Sequence, residues 1–343
     1  MKFVATADLH LGETIPGIDR FKIIGQVFRF AVENKADFLI IAGDIYDHLM
    51  VSNAIRARFN RMLKKLSTDL EVIVFPGNHD VGKKTTALSP LKPFSDDRIR
   101  VVDKPSRFTR GGKRFLVIPY DIRMAQDPKH TLRTLKKYGG DYECVFGHLS
   151  ISGVKVGPSN FALLGGVTKA QLRKYIGARF FILGHIHKPQ KGGNIYYCGS
   201  PDYLDFGERD EEKRFLFYED GELSSVPIKN RRLIQIEYTT DGIDRKLVRG
   251  AIYKIVVRCN KTDLPNMNVS GLVDKIKSKD GSVVKVSWEV ASRPRRRAKE
   301  INFRDSLAQN VKRYVKRFGG NDRGTLLTMA KEVLDEASKD RNQ

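Results

Sequence analysis

The stretch FLIIAGDIYD, residues 38–47, joins a continuous apolar run to a glycine and two aspartates. A run without polar alternation predicts a strand that is buried on both faces, as in a parallel sheet covered by helices. In such folds polar site residues gather just beyond the carboxyl ends of the strands. Asp44 and Asp47 are therefore candidate site residues, and the fold around them is predicted to be α/β.

Short apolar runs alternate with amphipathic helical patterns from residue 1 to about 230. Strands are predicted at 2–7, 38–43 and 72–77, and helices at 20–34 and 52–68. Continuous apolar runs separated by helices again indicate a sheet that is covered on both sides. Further runs of this kind are RFLVIPY (114–120), ECVFGH (143–148), RFFILGH (179–185), IYYCGS (195–200) and RFLFYED (214–220).

Several of these strands end in side chains that can bind metal ions. Five of the seven histidines follow apolar runs directly, always beside a carboxylate, an amide or a glycine. Taken singly, each residue has a structural alternative, such as a helix N-cap for Asp44 or Asp80, a turn for Asn78 or a buried core position for His148. The complete ordered set predicts a metal site: Asp8, His10, Asp44, Asp47, Asn78, His79, Asp80, His148, His185 and His187.

The residue types suit a site for two metal ions that hydrolyses phosphoesters. Such chemistry needs two ions about 3.5–4 Å apart, and one bridging carboxylate, for which Asp44 is the natural candidate, can hold that distance. Mixed oxygen and imidazole ligands favour manganese, iron or zinc. The three cysteines are far apart, which predicts neither a disulfide framework nor a structural zinc site. Glycines precede the site residues and leave room for sharp turns: Gly43, Gly77, Gly147 and Gly184.

The order D-x-H, G-D-x-x-D, G-N-H-D, G-H, G-H-x-H resembles the calcineurin-like metallophosphoesterase superfamily, and every element lies within residues 8–187. That resemblance implies a sandwich of two sheets flanked by helices. Within the superfamily the chain is similar to SbcD-type nuclease subunits of double-strand-break repair complexes. The narrower resemblance depends on HLMVSN after GDIYD, on YCGSPDYLDFGE (197–208), and on a small appended domain followed by helices. The short chain favours a phage version.

The resemblance implies two divalent ions, most simply Mn²⁺, held by two sets of ligands that share Asp44. His79 would face the phosphate and stabilise charge or protonate the leaving oxygen. Asp80 would orient His79, and Asp47 would lie near the site and help to position DNA. The first ligand set would be Asp8, His10, Asp44 and His187, and the second Asp44, Asn78, His148 and His185.

The same resemblance implies a 3′-to-5′ exonuclease on duplex ends and an endonuclease on single strands or hairpins. The protein would be a homodimer that works with an ABC-type coiled-coil ATPase in recombination and repair. A stand-alone phosphatase or cyclic-nucleotide phosphodiesterase is the first alternative, and a catalytically dead DNA-binding scaffold is the second. The basic C-terminal segment argues against the first alternative, and the complete ligand set argues against the second.

The pattern changes beyond residue 220. Residues 221–250 read as charged loops, and a compact β-α-β unit follows at 251–259, 269–279 and 282–290. The acidic stretch at 202–212 is predicted to be a solvated loop without a metal. We predict three domains: a nuclease domain at 1–230, a small capping and DNA-binding domain at 231–291, and a basic linker with partner-binding helices at 292–343.

The formal net charge of +22 predicts a polyanionic partner, either nucleic acid or an acidic membrane surface, and we favour DNA. Residues 291–319 hold ten lysines and arginines against two acidic residues. This segment is either a solvated linker with a charged helix face or a surface that contacts the phosphate backbone without reading sequence. The candidate contacts are Arg293, Arg295, Arg296, Arg297 and Lys299.

Two amphipathic helices are predicted at about 303–318 and 325–338. Their apolar faces either fold back on the core or, as the resemblance implies, bind the ATPase subunit. No apolar run is long enough to span a membrane, and we expect a cytoplasmic protein of a bacterial or phage-infected cell. The faces comprise Phe303, Leu307, Val311, Val315 and Phe318 in one helix, and Leu326, Leu327, Met329, Ala330, Val333 and Leu334 in the other.

Overall fold

A computed structural model describes residues 1–12, 15–81, 91, 95–157, 161–162, 166–291 and 305–339. The chain divides into two compact units, one of residues 1–256 with 268–287 and one of residues 257–267 with 288–343. The predicted DNA contacts Arg293, Arg295, Arg296, Arg297 and Lys299 lie outside the described residues. The predicted domain boundaries at 230 and 291 stay predictions.

The first sheet has six strands and contains the run that opened the sequence. The four strands from the first part of the chain are neighbours and run parallel. Two strands from later in the chain complete the sheet by antiparallel pairing. Across the sheet the order is β14 (Glu222–Pro227), β13 (Arg214–Glu219), β1 (Lys2–Thr6), β2 (Phe38–Ala42), β3 (Glu71–Phe75) and β4 (Ile99–Val101).

The second sheet also has six strands, four of them parallel, with an antiparallel strand at each edge. Its order is β11 (Gln190–Gly192), β12 (Ile195–Tyr197), β10 (Ile176–Gly184), β7 (Gly140–His148), β6 (Lys113–Ile118) and β5 (Ser106–Arg110). A separate two-stranded sheet pairs β8 (Lys155–Val156) with β9 (Phe161–Ala162) in antiparallel fashion.

Eight α-helices lie within the described residues, and polar side chains cap several of their first turns. Asp19 caps the first helix, Ser52 the second, and Thr168 forms a capping box with Gln171 at the fifth. The helices are α1 (Arg20–Glu33), α2 (Asn53–Ser67), α3 (Ile122–Gln126), α4 (Pro128–Lys137), α5 (Lys169–Tyr175), α6 (Val269–Lys277), α7 (Leu307–Phe318) and α8 (Arg323–Lys339).

The apolar runs are continuous because both faces of each central strand are covered. Along β2, Leu39 and Ile41 join the core beneath the first pair of helices, whereas Phe38 and Ile40 join the core between the two sheets. Successive side chains of a strand point to opposite faces, so each face needs its own apolar residues. The predicted α/β sandwich of two sheets flanked by helices is thereby confirmed.

The prediction of charged loops over residues 221–250 is wrong for much of that span. Residues 222–227 form β14, an edge strand whose side chains mostly face solvent, so its sequence is not apolar. Two further strands within residues 221–250 pair with the two strands of the predicted β-α-β unit to form a four-stranded sheet. The helix of that unit is α6. The order in that sheet is β16 (Gly242–Ile243), β15 (Leu233–Thr239), β17 (Ile252–Asn260) and β18 (Ser282–Ala291).

The helices α7 and α8 contact each other and keep large apolar side chains in solvent. Leu307 is 66% exposed and Val333 is 65% exposed. The predicted position of Phe303 lies outside the described residues. All three cysteines are buried and unpaired. Among the described residues, no helix is long and apolar enough to cross a membrane.

Candidate metal centre

The loops that follow β1 and β2 are joined by backbone hydrogen bonds. The N–H of Asp8 donates to the carbonyl of Gly43, and the N–H of His10 donates to the carbonyl of Asp44, each at 3.0 Å. The second sheet is joined to the same loops, because the N–H of His185 donates to Oδ1 of Asp8 at 2.9 Å. The carboxyl ends of strands from both sheets therefore meet in one place.

Four candidate ligands have backbone conformations that L-residues rarely adopt. The φ angles are +54° for Asp8, +42° for His10, +49° for Asp44 and +90° for His185. Such strain clusters at functional sites and persists only where the surrounding structure enforces it. Close packing contributes to that enforcement: a Cβ on Gly77 would lie 2.2 Å from Oδ1 of Asp44.

The first predicted ligand set is brought together. Donor atoms of Asp8, His10, Asp44 and His187 all lie within 4.8 Å of one another. Nε2 of His10 faces Nε2 of His187 at 3.1 Å, and the buried Oδ2 of Asp8 has no hydrogen-bond partner among the described residues. Convergent imidazole nitrogens and an orphaned buried carboxylate oxygen suit a cation, which would satisfy all of these lone pairs.

The second predicted set is also brought together. Donor atoms of Asp44, His148 and His185 lie within 4.8 Å of one another. Oδ1 of Asn78 completes the group, because it lies 3.0 Å from Nε2 of His148 and 2.7 Å from Nδ1 of His185. This cluster therefore offers two imidazoles, an amide oxygen and a carboxylate.

Asp44 lies between the two sets. Its Oδ2 is 3.7 Å from Nε2 of His10 and 3.4 Å from Nε2 of His148. Its Oδ1 accepts the backbone N–H of His79 at 2.8 Å. Burial raises the pKa of Asp44, but the nearby His148 and His10 and the hydrogen bond from His79 lower it by more. The pKa therefore lies well below its usual range. A carboxylate in this position can serve both clusters.

The hydrogen bond behind His148 determines which ring nitrogen faces the cluster. Nδ1 of His148 lies 2.9 Å from the carbonyl oxygen of Ala42, which can only accept, so Nδ1 carries the proton. In the neutral ring, Nε2 then directs its lone pair at the oxygens of Asn78 and Asp44. Burial lowers the pKa of His148, but attraction to Asp44 raises it to about 9. A cation between these atoms would take the place of a proton on Nε2, while Nδ1 keeps its own, so the residues fit a metal ion.

The comparisons with known proteins agree with this geometry. The family model for calcineurin-like phosphoesterases matches residues 1–189. The chain belongs to this family. The matched segment contains all seven candidate metal ligands and His79, so the family resemblance inferred from the motifs is confirmed.

The individual proteins that resemble this chain share only a small fraction of its sequence. An SbcCD nuclease subunit of Staphylococcus epidermidis is 25% identical over 272 residues, covering 69% of this chain and 72% of the relative. Among solved structures, an archaeal phosphodiesterase has a TM-score of 0.35 at 13% identity and covers 66% of this chain and 99% of its own. A dimetal phosphatase from Danio rerio has a TM-score of 0.39 at 14% identity, covering 66% and 96%.

The stretch 202–212 of this phosphoesterase is not a solvated loop, contrary to the sequence-based prediction. Glu208 is 8% exposed, and its Oε1 lies 3.3 Å from Nδ1 of His187. Its Oε2 accepts from Nζ of Lys213 at 2.7 Å. Burial raises the pKa of Glu208, but His187 and Lys213 together lower it to about 2. Sequence reasoning missed both residues, although Leu204 and Phe206 among the acids indicate a packed segment.

His79 lies at the rim of the centre, and Asp47 holds it there through its backbone. Nδ1 of His79 donates to the carbonyl oxygen of Asp47 at 2.5 Å, which leaves Nε2 as the nitrogen that can face a substrate. The Asp47 carboxylate lies 3.4 Å from Nδ1 of His10, on the side of that ring away from His187. Asp47 thus contacts two site histidines.

Asp80 does not contact the His79 ring in the described structure, so the predicted orienting bond is replaced by the one from Asp47. The carboxylate of Asp80 is fully buried and accepts backbone N–H groups from Ile45, Tyr46 and Gly77 at 2.9–3.0 Å. It therefore fastens the loop after β2 to the loop after β3.

Proposed function

We propose that the protein is a DNA nuclease subunit that uses two divalent metal ions. Two donor clusters that share Asp44, with His79 at their rim, carry this proposal. The expected activities are 3′-to-5′ exonuclease on duplex ends and endonuclease on single strands or hairpins. Mn²⁺ is the proposed metal: the mixed carboxylate, amide and imidazole donors suit manganese, iron or zinc, and the resemblance to SbcD-type subunits favours manganese among them.

The site residues have distinct tasks in phosphodiester hydrolysis. Two divalent ions held there would polarise the phosphate and acidify an attacking water. Asp44 would bind both ions and fix their separation. The other ligands would be Asp8, His10 and His187 for one ion, and Asn78, His148 and His185 for the other. Nε2 of His79 would contact the phosphate and give a proton to the leaving oxygen. Nδ1–H of that ring donates to the carbonyl of Asp47, which leaves Nε2 to face the phosphate, and the doubly protonated ring would carry on Nε2 the proton that is transferred.

Charge and the relative named above support DNA as the substrate. A net charge of +22 suits a polyanion, and a small phosphoester gains nothing from the basic segment at 291–319. The relative's name describes a nuclease subunit. Arg293, Arg295, Arg296, Arg297 and Lys299 are proposed to contact the DNA backbone, and Asp47 to help position the strand.

The proposed partners are an ABC-type coiled-coil ATPase and a second copy of this chain. The exposed apolar side chains of α7 and α8, such as Leu307 and Val333, support docking of the ATPase, because an aqueous surface gains nothing from them. The relative's name, which places it in a complex of more than one subunit, supports the same proposal.

The deciding experiment compares the wild type with His79→Ala on linear duplex and hairpin DNA in Mn²⁺. Bis-p-nitrophenyl phosphate serves as a small diester in parallel. DNA cleavage should fall by about 10²–10⁴-fold in the variant, with Mn²⁺ binding retained. Lys64→Ala, which removes an exposed side chain of α2, is the control and should cleave like the wild type.

The outcomes separate the proposed nuclease from its rivals. Rapid turnover of the small diester by the wild type, with DNA untouched even when the candidate ATPase is added, would establish a stand-alone phosphodiesterase. Tight DNA binding without cleavage of either substrate in Mn²⁺ would establish a binding scaffold.

A further inference from the structure

A cleft of about 330 Å³ lies beside the metal centre, within the first compact unit. Its walls come from the end of β3, the turn after β4, and the segment from the end of β6 to the end of α4. We call it the Tyr120 cleft and define it by Pro76, Lys104, Tyr120, Arg133, Lys137 and Tyr138. Its volume falls within the range of sites that hold small ligands.

The Tyr120 cleft adjoins a cavity that borders the centre. Tyr120 and Asp121 line it and also line a second, smaller cavity whose wall includes His148 and His185. The Tyr120 ring lies edge-on to the His148 ring, with centroids 6.2 Å apart. A chain whose phosphate is at the metal centre can therefore extend past Tyr120 into the cleft.

The cations of the cleft differ in how they are already used. Arg123 and His130 are engaged by Asp121, at 2.8 Å and 3.2 Å. Arg133 is 3.4 Å from Asp127. Lys104 and Lys137 are exposed and form no ion pair among the described residues, and the Lys137 ammonium lies 5.6 Å from the centroid of the Tyr138 ring. These two lysines are the groups best placed to meet an anion that enters from solvent.

The remaining walls are mostly apolar and aromatic, with Asp103 and Thr134 as further polar residues. Tyr138 is the C-cap of α4, and its ring is half-buried against the core of the second sheet, with the Arg107 guanidinium 5.1 Å from its centroid. Three prolines, Val81, Ile122 and the Tyr120 ring form most of the remaining surface. Aromatic walls beside cations are the combination that binds single-stranded nucleic acid, since bases stack on rings and phosphates pair with cations. A double helix, with its bases stacked inside, would leave the aromatic wall unused.

We propose that the Tyr120 cleft binds an unpaired nucleotide of the DNA next to the phosphate that is cleaved. Lys104 and Lys137 contact the flanking phosphates, and Tyr138 supplies the surface against which the base packs. The cleft thereby selects strands that are frayed or single-stranded beside the metal centre. This inference rests on the proposed DNA nuclease function and adds a subsite to it.

The test measures binding of a fluorescent single-stranded 12-mer in EDTA, to the wild type and to Lys104→Ala/Lys137→Ala. Two lost phosphate contacts should lower the slope of log K against log salt by about 1.4. Lys64→Ala/Lys65→Ala removes the same charge from an exposed face of α2 and should bind like the wild type. Tyr138→Leu should bind about 5-fold to 150-fold more weakly, whereas Tyr138→Phe keeps the ring and should not.

Two further measurements fix the interpretation. Hydrolysis of bis-p-nitrophenyl phosphate in Mn²⁺ should be unchanged in the double lysine variant, because this small diester has no flanking phosphates for the two lysines to contact. Blunt duplex DNA should lose less affinity than the single strand. Equal losses for both DNAs, or loss of ester hydrolysis, would overturn the cleft's role.

Failure of the subsite and failure of the nuclease function give different results. If the wild type cleaves DNA and the cleft variants cleave and bind it equally well, only the subsite is overturned. If the wild type hydrolyses the small diester but neither binds nor cleaves DNA, the nuclease function falls and the subsite falls with it.

Discussion

The carboxylate of Glu208 lies 3.3 Å from Nδ1 of His187, and the opposite nitrogen of that ring faces His10. An ionised carboxylate has no proton to donate and can only accept this hydrogen bond. Nδ1 therefore carries a proton, and Nε2 keeps its lone pair for the centre. The other carboxylate oxygen is held by Lys213, whose side chain is fully buried. A buried lysine thus fixes the group that orients a candidate ligand.

Glu208→Gln should weaken Mn²⁺ binding by about 10-fold to 100-fold, because outer partners of metal-bound histidines have effects of this size. Isothermal titration calorimetry with Mn²⁺ measures it directly. Glu212→Gln makes the same change at an exposed position four residues away and should bind Mn²⁺ like the wild type. Equal affinities for the two variants would show that Glu208 does not orient His187.

Lys213→Met should destabilise the protein by about 3–5 kcal/mol, since it leaves a buried carboxylate unpaired. Lys213 contacts Glu208 at 2.7 Å, Glu211 at 2.9 Å and Ser200 at 2.9 Å. Chemical denaturation of the metal-free protein measures the change. Lys229→Met, at an exposed site, is the control. A free energy of unfolding close to that of the control would contradict the network.

Asp80→Asn should cost about 2–4 kcal/mol of stability, because an amide presents only one acceptor where the carboxylate serves three N–H groups. Thermal unfolding compares it with Asp69→Asn, which changes an exposed aspartate. If Asp80 instead acted on the His79 ring, the variant would unfold normally and lose only activity.

Gly77→Ala should weaken Mn²⁺ binding and lower stability by about 1–3 kcal/mol. The added Cβ would lie 2.2 Å from Oδ1 and 2.4 Å from the backbone nitrogen of Asp44, so that residue must move. Gly324→Ala in α8 places its Cβ in open space and should be neutral or slightly stabilising. Normal metal affinity in Gly77→Ala would show that the centre tolerates displacement of Asp44.

Neutralising the basic segment should lower the salt dependence of duplex binding. Arg295→Ala/Arg296→Ala/Arg297→Ala removes three candidate phosphate contacts, so the slope of log K against log salt should fall by about 2.7. Arg61→Ala/Lys64→Ala/Lys65→Ala removes the same charge from α2 and serves as the control. Identical slopes in the two triple variants would mean that the segment is only a solvated linker.

The candidate ligands could be predicted from sequence because parallel strands deliver their carboxyl ends to one edge. Asp8, Asp44 and Asn78 each follow an apolar run, and His148 and His185 follow two runs of the other sheet. A local pattern was therefore enough to collect residues that are far apart in the chain. The same reasoning identified both faces of the central strands as buried.

Contacts between distant side chains left no such local pattern. Glu208 lies in an acidic stretch that reads as solvated, and only its distance to His187 reveals its use. Asp80 follows His79 directly, which suggested an orienting role, but its carboxylate points to backbone groups of the neighbouring loop. The edge strand β14 was missed because one exposed face removes the apolar run by which strands are recognised.

Neither sheet alone holds a complete ligand set, because Asp8 and Asp44 follow strands of the first and His148 and His187 come from the second. The first sheet is also finished late, when β13 at residues 214–219 pairs beside β1. During synthesis, a ribosome must release more than 200 residues before the sandwich can close. A nascent chain therefore cannot hold the candidate metal ligands together until strands of both sheets have been synthesised.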